Sequence, residues 1–152
     1  MEKEFHLPRW EELPDLALYM DQVLLVLNTA LQPVTVGEAP AVTAAMLNNY
    51  VKLKLTAPAE KKKYGRSHVA RFLMICLYKR VLSMQEIAAL VELVEAGRTA
   101  AEGYNAFAGE LERLLLAPEA PAGEDCPPAV SAGIRAVAAK ITLERLLAEK
   151  NP

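Results

Sequence analysis

Apolar residues recur at helical intervals in six separate stretches of the chain. Between residues 15 and 31, Leu16, Met20, Val23, Leu24, Leu27 and Leu31 repeat every three or four positions, with Leu18, Leu25 and Val26 on the other sides. That pattern predicts a buried helix, apolar nearly all round, with Asp15 as its N-cap. Residues 33–42 follow as a loop punctuated by Pro33, Gly37 and Pro40. Thr43 caps the next helix, 43–53, where Met46, Leu47 and Tyr50 face inward and Ala44, Ala45, Asn48, Asn49 and Lys52 point outward. Ser67 is the expected cap of a third helix, whose Val69, Phe72, Leu73, Cys76 and Leu77 share a face. Ser83-Met-Gln-Glu86 and Thr99-Ala-Ala-Glu102 are capping boxes that start helices running to Ala96 and Leu116, with Gly97 as a stop between them. Residues 117–128, with four prolines and three acids, read as a flexible linker before a last amphipathic helix, 128–149, striped by Val130, Ile134, Val137, Ile141, Leu146 and Leu147.

Composition agrees with helices and narrows the class. Apolar residues make up 53% of the 152 positions, many of them alanine, and aromatics only 6%. No apolar run reaches the length of a membrane span, and the opening residues lack a signal-peptide profile. The expectation is a cytoplasmic protein. Its two cysteines, Cys76 and Cys126, form no framework and read as reduced thiols. The leader, residues 1–14, holds the single tryptophan, Trp10, expected to pack the leader onto the domain or to serve as an exposed partner anchor.

Charge changes the picture more. Residues 43–80 contain nine lysines and arginines and one acid, Glu60, a formal +8, while the remainder of the chain stands at −10. A basic module inside an acidic protein points to an anionic partner. Lys61, Lys62 and Lys63 beside Tyr64 suit phosphate contact through charge. Asn48 and Asn49 suit base edges, because an amide pairs bidentately with adenine. Lys52, Lys54, Arg66, His68 and Arg71 fall near the same surface.

The order helix, basic turn, helix also carries a resemblance. Thr43, Met46, Leu47, Tyr50, Leu55, Pro58, Tyr64, Arg71, Phe72 and Ile75, then Leu82-Ser-Met-Gln-Glu-Ile87, are spaced like the MerR-type winged helix-turn-helix over residues 43–90. The resemblance implies a recognition helix at 43–53 in a major groove, a basic wing at 59–66 on phosphates, and a homodimer joined through C-terminal helices. Asn48 stands where that family often carries an arginine, Lys54 replaces its turn glycine, and the wing is short. The segments Leu7–Trp10, Leu18–Gln22 and Asn48–Leu53 resemble a bacterial family known only as a domain of unknown function.

The fold class expected is therefore all-α, or mainly α with a minimal β wing: a winged helix-turn-helix core over residues 1–96, then a C-terminal helical region, 97–152, for packing or dimerisation. The functional expectation is a DNA-binding transcriptional regulator bound to double-stranded DNA. Its candidate residues are Thr43, Ala44, Asn48, Asn49, Lys52, Lys54, Lys61, Lys62, Lys63, Tyr64, Arg66, His68 and Arg71. The alternative is an interaction or effector-binding module that keeps the winged fold without DNA. No catalytic or metal-binding constellation stands out: His6 and His68 lack ligand-spaced partners, and there is no glycine-rich phosphate loop. Neither an enzyme nor a cofactor is expected.

Overall fold

A computed structural model describes residues 5–36 and 42–150. The described residues form six α-helices: α1 (Met20–Leu31), α2 (Ala44–Lys52), α3 (Arg66–Tyr78), α4 (Met84–Glu95), α5 (Ala100–Leu116) and α6 (Pro128–Lys150). Single 3-10 turns occupy Trp10–Glu12 and Gln32–Val34. The expected loop glycine and proline, Gly37 and Pro40, lie outside the described residues.

The chain is built around α3. Val69, Ala70, Phe72, Leu73, Met74, Ile75, Leu77 and Tyr78 are all buried, which uses every side of that helix. Such a helix needs cover all round. α1 supplies it on one side and α4, α5 and α6 on others, and Tyr78 meets Phe107 of α5 edge-on at 5.1 Å. One continuous core runs from Phe5 to Ile141. The division expected at residue 96 is therefore crossed by packing, and the first part of α6 serves its own chain's core. Gly133 marks how close that packing is, because a Cβ there would fall 2.4 Å from Leu90 Cδ1 of α4.

Local signals placed three caps. Thr43 Oγ1 accepts from Met46 N, and Ser83 and Thr99 form their boxes with Glu86 and Glu102. Gly97, at φ 70°, makes the left-handed turn between α4 and α5. Long-range contacts overrode two other expectations. α1 starts at Met20, not after Asp15, because Leu18 exchanges two 2.8 Å backbone hydrogen bonds with Tyr64 and keeps that segment extended. Nor is α1 buried all round, since Leu25 is 70% exposed. Ser67 does not cap α3. Gly65 holds the cap position, and its N–H donates to Nδ1 of His68.

The linker is a further correction: residues 117–127 form a strap fixed to α5 and α6. Glu110, buried on α5, accepts hydrogen bonds from Gly123 N at 3.0 Å, Ser131 Oγ at 2.6 Å and Arg113 Nε at 2.8 Å. Arg113 and Arg135 donate in turn to the carbonyls of Pro121, Pro118 and Ala120. Burial alone would push the Glu110 carboxyl upward; the bonds from Ser131, Gly123 and Arg113 outweigh it and hold its pKa below the ordinary value. A depressed folded pKa contributes stability above the unfolded pKa, and that contribution is lost as pH falls through the folded one. Replacing Glu110 with Ala should lower the thermal unfolding midpoint at neutral pH by an amount equivalent to about 3 kcal/mol. Circular dichroism would show it, and an unchanged midpoint would mean that the strap is not held this way.

Candidate nucleic-acid interface

α2 presents one polar stripe. Ala45, Asn48, Asn49 and Lys52, spaced i, i+3, i+4 and i+7, are exposed, while Leu47 and Tyr50 are buried. Thr43 is exposed at its start and Ala44 is partly covered. The helix is aimed by a residue that sequence reading missed. The Asn28 amide of α1 accepts from Val42 N at 2.9 Å and donates to Val42 O at 3.2 Å, clasping the backbone immediately before the Thr43 cap. Only its position on the half-buried side of α1 could have hinted at this.

α2 ends in a Schellman motif, with Leu55 N donating to Tyr50 O and Lys54 N to Val51 O, both at 3.0 Å. The left-handed residue that this motif requires is Lys54, at φ 62°. Glycine ordinarily fills such a position, since a side chain there costs about 1–2 kcal/mol.

The basic turn is a minimal hairpin. Glu60 and Lys63 exchange two 2.9 Å backbone hydrogen bonds around Lys61 and Lys62, at φ 50° and 65°. Those are the φ signs of a type I′ turn, which favours glycine and asparagine. Among the described residues, the non-glycine positions with positive φ are these three lysines. The hairpin is anchored below by Tyr64, which bridges to Leu18 and meets His68 and Phe72 edge-on at 5.4 and 5.7 Å. His68 closes the loop: its Nδ1 accepts from Gly65 N, and its Nε2–H, at 3.0 Å, donates to Pro58 O.

The cations of residues 43–80 divide by type. All three arginines are committed to the fold. Arg66 donates to Leu13 O at 3.1 Å and lies 5.9 Å from the Trp10 ring; Arg71 binds Leu55 O and Glu95; Arg80 binds Val34 O and Glu144. Trp10, half-buried, thus packs the leader between Arg66 and α5, where Asn105 accepts from its backbone N–H. Among the described residues none of the six lysine side chains, Lys52, Lys54, Lys61, Lys62, Lys63 and Lys79, makes a hydrogen bond or an ion pair, and all but the partly covered Lys63 are exposed. Four of the sequence candidates have their side chains engaged within the fold. Tyr64 is buried, Arg66 and Arg71 are turned inward, and His68 is a staple whose two ring nitrogens are both used. Two exposed neighbours join the surface: Tyr19, whose ring lies 5.0 Å from Lys63 Nζ, and Lys79, 5.1 Å from the Tyr50 ring.

Other chemistry is sparse. Burial pushes the thiol of Cys76 up to about 12 and that of Cys126 up to about 11, which disfavours the thiolate of both at neutral pH. Among the described residues no three metal-binding side chains gather, and no helix is long and apolar enough to cross a membrane. An open cleft of about 620 Å³ lies between the end of α2 and α4, with Lys54, Arg71, Val91, Glu92 and Glu95 on its walls.

The family model described as Domain of unknown function (DUF1836) matches residues 8–107. The chain belongs to the DUF1836 family. The DUF1836 match takes in the leader from Pro8 onward, α1 to α4 and the start of α5, including the whole basic surface. Comparisons with curated proteins and with solved structures each found no match.

Replacing His68 with Ala removes both loop bonds and should cost about 1–3 kcal/mol, with faster amide exchange across residues 58–65. Hydrogen exchange read by NMR checks it; unchanged protection there would contradict the staple.

Proposed function

We propose that this DUF1836 protein is a cytoplasmic DNA-binding transcriptional regulator of the winged helix-turn-helix type. α2 lies in a major groove of double-stranded DNA, and the 60–63 hairpin rests on the flanking phosphates as a wing. Asn48 and Asn49 read base edges; Lys52, Lys54 and the hairpin lysines supply sequence-independent affinity.

One observation carries the reading: lysines occupy the three backbone positions where glycine or asparagine would be conformationally cheaper. Stability does not favour that choice, whereas phosphate contact does. The spacing of Thr43, Tyr50, Tyr64 and the Leu82–Ile87 segment, similar to MerR-type proteins, supports the same docking.

The lysines also supply the test. Glycine accepts both hairpin φ values, so Lys61→Gly with Lys62→Gly should keep stability within about 1 kcal/mol of wild type or raise it. The same pair should weaken binding to a random duplex roughly tenfold at 0.1 M salt. Fluorescence anisotropy beside thermal unfolding reads both effects, and full affinity in the double variant would sink the wing assignment.

The reading includes a homodimer joined through the C-terminal helices. Leu143, Leu146 and Leu147, 48–55% exposed at the end of α6, supply an apolar face at helical spacing for a second copy. Sedimentation should give a dimer for wild type and a monomer for Leu146→Glu with Leu147→Glu; a monomeric wild type would remove this part.

The alternative is an effector or protein-interaction module, for which the cleft beside Lys54 is the supporting feature. A folded wild type that fails to bind duplex DNA at low salt would favour it.

A further inference from the structure

Five of the six unpaired lysines lie on α2, at its end, or on the hairpin. The sixth, Lys79, lies at the C-terminal cap of α3, at the opposite end of that helix from the hairpin. Its ammonium stands 5.1 Å from the centroid of the Tyr50 ring of α2. Two local forces favour a cation there: the ring face of Tyr50 and the partial negative charge at the end of α3. Arg80 beside it is spent on the fold, through Val34 O at 2.7 Å and Glu144 at 3.4 Å. Lys79 is therefore the cation of this pair left to face solvent.

Its distance from the hairpin matters. Tyr64, at the base of the hairpin, packs on the first turns of α3. From there to Lys79 the helix advances about 20 Å. Tyr50 seats α2 against the far part of this span, so hairpin and Lys79 bracket α2 from opposite ends of α3. A major groove is about 12 Å wide with a phosphate ridge along each side. Cations at the two ends of α3, with α2 seated between them, suit a helix in a groove that has a phosphate ridge on each side.

We infer that Lys79 is a second phosphate anchor, engaging the backbone ridge across the major groove from the one held by the hairpin. The Tyr50 ring positions the ammonium before binding, which reduces the ordering cost of a lysine side chain. This rests on the proposal that α2 enters a major groove, and it adds a contact that charge counting along the sequence did not single out.

The experiment compares wild type, Lys79→Ala, Lys79→Arg, and Lys61→Gly with Lys62→Gly on one labelled random duplex across a salt series. Removing one phosphate contact should make the slope of log K against log salt shallower by about one. Lys79→Ala should show that change and lose affinity roughly three- to tenfold at 0.1 M salt, with Lys79→Arg close to wild type. Combining Lys79→Ala with the hairpin pair should add the two losses, as expected for separate anchors. If the hairpin pair weakens binding and Lys79→Ala leaves both slope and affinity unchanged, the second anchor is wrong and the DNA reading stands. If wild type shows no salt-dependent binding, both fall. Thermal unfolding of Lys79→Ala should match wild type; a several-degree loss would assign the lysine to the packing of Tyr50 and overturn the anchor.

Discussion

The constraint behind this structure is that α3 is apolar on every side. A helix of that kind is stable only when surrounded, and the other helices are placed by that need. α1, α4, α5 and α6 cover its sides, while its two ends stay near the surface. At the first end Tyr64 and His68 seat the hairpin; at the last, Tyr78 turns into the core and Lys79 stays outside. The geometry of the basic surface thus follows from one buried helix. α2 and the hairpin keep a fixed relation because both are tied to α3, through Arg71 to Leu55 O and through His68 to Pro58 O.

Arginine and lysine have separate tasks here, and their chemistry explains why. A guanidinium offers several donors in a planar fork and tolerates partial burial, so Arg66, Arg71 and Arg80 each reach a backbone carbonyl while meeting a carboxylate or an aromatic ring. A lysine ammonium is compact and strongly hydrated, and the lysines stay outside. The net charge of the segment therefore overstates what a ligand would meet. The usable positive charge is that of six lysines on a backbone strained at three of them.

The sequence disclosed what local rules decide. The caps at Thr43, Ser83 and Thr99, the stop at Gly97 and the six helices depend on neighbours within four residues, and all are present. What it hid depends on partners far along the chain. Asp15 looks like a cap, but Tyr64, much later, holds Leu18 extended. Ser67 looks like a cap, but Gly65 holds that position, and His68 ties its N–H to the carbonyl of Pro58 ten residues away. The stretch 117–127 reads as flexible from its prolines and acids, yet Glu110 and Arg135 bind it. In the candidate site, charge alone drew in Arg66, His68 and Arg71, since a count of cations carries no information on burial. It passed over Asn28, which carries no charge, and Lys79, which lies away from the lysine run.

The central claim is that α2 and the hairpin together face DNA. Amide chemical-shift mapping during titration with a short random duplex at low salt tests it most directly. The account predicts shifts concentrated at residues 45–54, 60–63 and 79, with the strap at 117–127 unmoved, and their reversal on adding salt. Shifts confined to other surfaces, or none at all in a folded protein, would contradict it.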